Sequence, residues 1–451
     1  MINNMADNST QSSRRNSRQN IETRESQKSQ NEEVKDIFMT ATEQGDALKV
    51  RELLEDQHIA PNLTATREGF GRSALSLAAT YGQTYVLAEL LKGGADPMLK
   101  SSSQRVPLHE ACIGGHLDCV ELLVDVMSDI NVSDKDGQTA AHLAAFNGEE
   151  ESLKVLIENG ANLIAEDHKG RQPAHLAATR NHVQILQLLF DHSVDLDCQC
   201  ELGRTPLHYA AQYGGLESVV CLVERDCDTT VGDTNTYLAA HLAARYNKVD
   251  CLKFLVKQGT ALDAPQGEGK ACSHIASLFG AVNALHWILE EGADINLADH
   301  FGNTPAHYAA EGGKADCFNC CLQHDADLTA INIRGDAPLD TAKKNGHPLL
   351  MERAVNNEVT CPLCFKKFEQ EEYKRAHAPA PVERSITTAA STAYTSPLPS
   401  VLRRPTQHQT NLFKADLKKK VPKKNLPDRD LPTKYFGEYL DPNEVFRFKT
   451  S

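Results

Sequence analysis

The sequence predicts an all-α solenoid of about ten 33-residue repeats, and three periodic features predict it. Histidine recurs at His109, His142, His175, His208, His241, His274 and His307, each 33 residues after the last. Glycine stands five residues before that slot, at Gly71, Gly137, Gly170, Gly203, Gly269, Gly302 and Gly335. Six residues after it come Gly82, Gly115, Gly148, Gly214, Gly280, Gly313 and Gly346, with Asn181 and Asn247 in two repeats. A second apolar pair follows in phase, as in Leu90-Leu91, Leu123-Val124, Leu156-Ile157, Leu255-Val256 and Ile288-Leu289. A unit that cannot bury its apolar face alone does so on its neighbours, so a fixed period of this length implies a stack.

Each repeat opens on a turn, where the glycine before the histidine suits φ > 0. A first helix follows from the threonine slot. Proline at its first turn, as in Thr205-Pro206-Leu207-His208, removes an N–H that would have no intrahelical partner, and the threonine before it can cap the turn. The later glycine ends the helix. Asparagine is the residue that best replaces glycine in the left-handed conformation, which explains Asn181 and Asn247. The apolar pair lies on a second helix, and a loop such as Gly292-Ala293-Asp294-Ile295-Asn296 closes the unit.

The period with Thr-Pro-Leu-His, and its variants Val106-Pro107-Leu108-His109 and Thr304-Pro305-Ala306-His307, resembles the ankyrin repeat. The resemblance covers residues 35–357. Residues 35–69 and 334–357 are divergent terminal repeats, with Ser76 and Asp340 in the histidine slot of the second and last units. Polar, irregular terminal units are what a solenoid needs as caps. Residues 1–34 are polar and too poor in apolar side chains to offset ordering entropy, so they are expected to be disordered. Residues 358–380 hold a zinc-finger-like motif, and 381–451 form a flexible tail rich in Pro, Ser and Thr with a basic cluster.

Charge divides the chain. Residues 35–360 carry 25 basic and 46 acidic side chains, whereas residues 361–451 carry 17 basic and 10 acidic. An acidic solenoid favours a basic protein partner and argues against nucleic acid. Thirteen cysteines, many at apolar helical positions, read as reduced, small core side chains of a cytoplasmic or nuclear protein. No apolar run approaches a membrane span, and the N-terminus lacks the apolar core of a signal peptide.

The seven histidines are not read as a metal chain. Stacked helices lie about 8–10 Å apart, whereas a Zn–N bond is about 2.0–2.1 Å. Each imidazole is instead expected to hydrogen-bond backbone of its own turn or the adjoining loop, as the resemblance also implies. In ankyrin-repeat proteins the turn tips and first-helix ends line a concave groove. The corresponding positions here carry Phe70, Tyr81, Phe146, Arg180, Tyr213, Arg245, Tyr246, Phe279 and Phe301, with further tip residues Arg105, Arg171 and Arg204. Tyr, Phe and Arg on one face have the chemistry of interface anchors.

Cys361, Cys364 and His377 have spacing that looks like the start of a small zinc finger. A closed structural zinc site takes four ligands, and this motif offers three. Three readings stand: a fourth ligand from elsewhere, with His347 as one candidate; a ligand from a partner; or a decayed finger. Lys418, Lys419, Lys420, Lys423 and Lys424 resemble a nuclear localisation signal, or form a solvated basic segment. No phosphate-cradling glycine loop, Gly-x-Ser-x-Gly or His-Glu-x-x-His occurs, so no enzyme and no organic cofactor is expected. The functional expectation is a monomeric, non-enzymatic scaffold or adaptor that binds a protein through the concave face. The alternatives are a nuclear regulator whose zinc-finger-like motif and basic tail contact nucleic acid, and an adaptor for a ubiquitin-type enzyme.

Overall fold

In the computed structural model, residues 33–56, 62, 71–356, 361, 363, 364 and 366 are described. They are helical in the predicted order. A helix over 33–44, α1, precedes α2 (Ala47–Asp56). Then come α3 (Ala74–Thr80), α4 (Thr84–Lys92), α5 (Pro107–Gly114), α6 (Leu117–Val126), α7 (Ala140–Asn147) and α8 (Glu150–Glu158). The stack continues with α9 (Pro173–Thr179), α10 (Val183–Asp191), α11 (Pro206–Tyr213), α12 (Leu216–Val223), α13 (Ala239–Arg245) and α14 (Val249–Lys257). It closes with α15 (Cys272–Phe279), α16 (Val282–Glu290), α17 (Pro305–Glu311), α18 (Ala315–Gln323), α19 (Pro338–Lys344) and α20 (Pro348–Val355). Among the described residues no helix is long and apolar enough to cross a membrane.

The odd-numbered helices from α3 to α19 form an inner row, each packed on the next, and the even-numbered helices an outer row. The two rows bury different chemistry. Ala-Ala pairs such as Ala144-Ala145, Ala177-Ala178, Ala210-Ala211 and Ala243-Ala244 are 0% exposed, and their small side chains let neighbouring inner helices approach closely. The outer row is bulkier. Leu153, Leu186, Val219, Leu252, Leu285 and Phe318 form one fully buried column at the repeat period, and Leu156, Leu189, Leu222, Leu255, Ile288 and Cys321 form a second. In each apolar pair of the sequence the first residue is thus core, while the second is buried at Val124 and Leu289 and only partly covered at Leu91, Ile157 and Val256.

Polar bonds join the repeats along the turns. His168 donates its backbone N–H to Asp136 O at 3.0 Å, Glu201 to Lys169 O at 3.1 Å and His300 to Glu268 O at 3.1 Å, one bond per tip. The histidine slot adds a second link. His208 Nδ1 accepts the Thr205 backbone N–H at 3.1 Å, and its Nε2–H donates to Tyr237 O of the next repeat at 2.9 Å. His142 and His175 reach Arg171 O and Arg204 O in the same way, each at 2.9 Å. Both expected partners of the imidazole, its own turn and the adjoining loop, are therefore used at once. The helix start is capped differently from expectation. The threonine hydroxyl, as at Thr205 Oγ1, meets His208 Nδ1 at 2.9 Å, and the same ring nitrogen accepts the backbone N–H of Thr205 itself, the residue that precedes the helix.

The left-handed positions are occupied as predicted, with φ of 62° at Asn181 and 58° at Asn247. Their side chains do a second job that glycine cannot: Asn181 Oδ1 accepts the Ser218 N–H and Asn247 Oδ1 the Ala284 N–H, both at 2.9 Å, at the start of the next outer helix. The turn slot also holds two non-glycine residues in the left-handed region, Gln104 (φ 58°) and Thr236 (φ 61°).

Candidate interaction surface and a cysteine–histidine cluster

Most of the predicted groove residues lie at the C-terminal ends of the inner helices, whereas Phe301 stands in the turn before α17. Tyr81, Arg180 and Tyr246 follow the last residues of α3, α9 and α13, while Tyr213, Arg245 and Phe279 are the last residues of α11, α13 and α15. The shared position comes from the common repeat phase, and the left-handed residue that follows turns the chain away and leaves these side chains at the rim. Tyr81, Tyr213 and Phe301 are 47%, 40% and 41% exposed. Phe70 lies outside the described residues.

Arginine and aromatic rings interleave along this strip. The Arg180 guanidinium stands 4.5 Å from the Phe146 ring centre, and that of Arg245 stands 4.1 Å from Phe279 and 5.5 Å from Tyr246. Burial, followed by the neighbouring Tyr246, pushes the Tyr213 phenol above its ordinary value, although Arg171, Arg204 and Arg180 oppose the shift. Five consecutive repeats therefore contribute to one surface. Its arginines already rest on rings in the free protein, which holds them in place for a partner.

The tip arginines behave differently. Arg105 Nε bonds Asp134 Oδ2 at 3.1 Å, Arg204 Nε bonds Asp233 Oδ2 at 3.2 Å, and Arg171 reaches Asp167 Oδ2 at 2.7 Å. Each aspartate is buried and also accepts two N–H groups of its own turn, as Asp134 Oδ1 does from Asp136 and Gln138 at 2.9 Å. These arginines fasten turns, whereas the rim strip offers its side chains outward, as do the tip residues Leu202, Phe301 and Ile333.

At the other side of the stack, Cys361 and Cys364 fold against the outer helices. Cys361 is 1% exposed, and Leu363 and Cys364 pack on the core. The ligand atoms of His286, Cys320, Cys361 and Cys364 all lie within 4.8 Å of one another. His286 belongs to α16 and Cys320 to α18. Cys364 Sγ is 3.4 Å from His286 Nδ1 and 4.0 Å from Cys320 Sγ, and Cys320 Sγ is 4.0 Å from His286 Nδ1. Hydrogen bonds from Cys320 and then Cys364 shift the Cys361 thiol below its ordinary pKa, against the opposing effect of burial. Hydrogen bonding to Cys361, then to Cys364, together with burial, holds the Cys320 thiol well above its ordinary value.

Of the sequence-predicted ligands, Cys361 and Cys364 are thus brought together. His377, like Lys418, Lys419, Lys420, Lys423 and Lys424, lies outside the described residues. His347 sits elsewhere, with its ring against Gly313. The cluster residues that sequence reasoning missed are His286 and Cys320, which stand 34 residues apart on adjacent outer helices.

Comparison with known proteins agrees with this architecture. The family model "Ankyrin repeats (3 copies)" matches residues 87–167, 163–233, 218–299 and 273–360, and the model "Ankyrin repeat" matches 70–102. The chain is 36% identical over 63 residues to Ankyrin repeat-containing protein P1E11.10 of Schizosaccharomyces pombe, covering 14% of this chain and 30% of that protein. It is 34% identical over 70 residues to Ankyrin repeat domain-containing protein 37 of Xenopus tropicalis, covering 16% and 43%. It is 33% identical over 103 residues to the Inhibitor of Bruton tyrosine kinase of Xenopus laevis, covering 21% and 8%. The matched segments span less than half of each relative. With the family models spanning most of the described stack, and the helix pairs and histidine slot in register with them, the chain belongs to the ankyrin-repeat family.

Proposed function

We propose that this protein is a non-enzymatic scaffold or adaptor that binds a protein partner through the rim strip of its inner helices. The observation that carries the reading is the interleaved series Phe146, Arg180, Tyr213, Arg245, Tyr246 and Phe279, contributed by five consecutive repeats. Rings held rigid by cation–π contacts lose little entropy on binding, and Tyr and Arg dominate interface hot spots. The excess of acidic side chains over residues 35–360 favours a partner with basic character. All thirteen cysteines are free thiols, in keeping with action in the cytoplasm or nucleus, and we take the acting species to be a monomer.

The test is capture from lysate with the full chain and with a triple variant, Tyr213→Ala, Tyr246→Ala and Phe279→Ala, of matched circular dichroism. A partner held by the first and lost from the second supports the strip. A partner retained equally by both removes it as the main site and moves attention to residues 358–451.

A further inference from the structure

We propose that His286, Cys320, Cys361 and Cys364 form a structural zinc site that clips the segment after the last helix onto the outer row of the stack. The donor set is complete. Three thiols and one imidazole are a closed four-ligand set for zinc, with no position left for water, and soft thiolate donors select zinc over magnesium or calcium. The distances fit. Zn–S bonds of about 2.3 Å and Zn–N bonds of about 2.0–2.1 Å in a tetrahedron place ligand atoms about 3.6–3.8 Å apart. The separations here are 3.4 Å for Cys364–His286, 4.0 Å for Cys364–Cys320 and 4.0 Å for Cys320–His286.

The surroundings have the features of a ligand shell. His286 Nε2 lies 3.3 Å from Glu290 Oε1, one helical turn on in α16. A proton held there on Nε2 leaves the Nδ1 lone pair facing the sulfurs, the usual second-shell arrangement around a metal-bound histidine. Half of the cluster is shut off from solvent, with Cys320 0% and Cys361 1% exposed, while His286 and Cys364 are half-buried at its edge. Three thiols and an imidazole converging in an otherwise apolar outer layer have no packing role that leucine, used elsewhere in this row, would not fill better.

The site differs from a self-contained zinc finger. Two ligands come from the repeats and two from the Cys-x-x-Cys turn, so metal binding joins the turn to the last repeats and does not fold an independent module. The full chain, produced with zinc in the medium and exchanged into chelator-free buffer, should carry about one zinc per chain by mass spectrometry. His286→Ala and Cys320→Ser should each lower that occupancy at least tenfold, and His377→Ala should leave it unchanged. Cobalt substituted for zinc should give tetrahedral bands with charge transfer from three thiolates, a readout that needs no variant. Should Cys320→Ser fail to fold, His286→Ala, at the edge of the site, and the cobalt spectrum still decide. Zinc retained in His286→Ala but lost in His377→Ala overturns the assignment, as does a wild-type chain that takes up neither zinc nor cobalt.

Discussion

The middle of the stack and its two ends are fastened differently. In the middle, each histidine accepts the N–H of its own first turn and donates to a carbonyl near the next turn, so one side chain serves as helix cap and inter-repeat link. At the N-terminal end the same slot holds Ser76, whose N–H bonds Ser73 Oγ at 3.1 Å within its own turn. At the C-terminal end it holds Asp340, which meets Lys343 at 3.3 Å on the surface. Asp340 stands in the last unit of the stack, whereas the Ser76 unit is followed by another repeat and still lacks the histidine, so the link is confined to the seven units from His109 to His307. Cohesion in this family is a sum of nearest-neighbour terms, and the sequence changes where a neighbour is missing.

The largest effect that tests this contrast is acid. Burial pushes His109, His175, His241 and His274 down to about 4 from the ordinary 6.5. A folded pKa below the unfolded one means that stability is complete above about pH 6.5 and is lost as pH falls toward 4, because the unfolded chain takes up the protons first. At pH 5 each such histidine costs on the order of 2 kcal/mol. The urea midpoint of the full chain should fall steeply between pH 7 and pH 5. Hydrogen exchange should show the middle repeats losing protection toward the level of the ends. A flat midpoint over that range would contradict the histidine lock.

Next in size is removal of one lock. His208→Ala leaves the Thr205 N–H and the Tyr237 carbonyl without their partner, and two orphaned groups together with a small cavity cost about 2–4 kcal/mol. Ser76→Ala removes neither the Ser76 N–H nor its Ser73 acceptor and should cost less than about 1 kcal/mol. Equal losses in chemical denaturation would mean that the slot is a local cap in both places.

The lock was largely legible in the sequence, because a 33-residue period fixes the phase of every landmark at once. The left-handed asparagines and the rim residues followed from the same phase. The capping role of the histidine was not legible: Thr205 is a good N-cap by type, and only the fold shows His208 Nδ1 placed to take the amide. The cysteine–histidine cluster was hidden for a different reason. Its ligands lie on three segments, and Cys361 and Cys364 alone suggest a local finger completed downstream. The available signal was Cys320, a second thiol beside Cys321 of the buried outer column, with His286 on the neighbouring outer helix in nearly the same phase.

A smaller effect of opposite sign comes from the turns. Gln104 is exposed and holds φ 58° where most repeats carry glycine. The left-handed conformation costs an L-residue about 1–2 kcal/mol, offset in part by the greater entropy glycine loses on folding. Gln104→Gly should therefore stabilise the chain by roughly 0.5–1 kcal/mol. A decrease in thermal midpoint would show that the Gln104 side chain contributes more than its backbone strain removes.

The smallest expected effect is at the C-terminal end of the slot. The Asp340 and Lys343 side chains are 50% and 48% exposed. An exposed pair one helical turn apart is worth about 0.5 kcal/mol or less and is screened by salt. Asp340→Ala should therefore move the denaturation midpoint hardly at all, and the shift should vanish at high salt. His307→Ala, one repeat earlier, removes the 3.1 Å bond from the Thr304 amide and the 3.0 Å bond to Asp336 O and should cost several times more. That ratio is the sharpest measure of the contrast, because both positions belong to one slot in adjacent repeats, and only His307 has a following turn to hold.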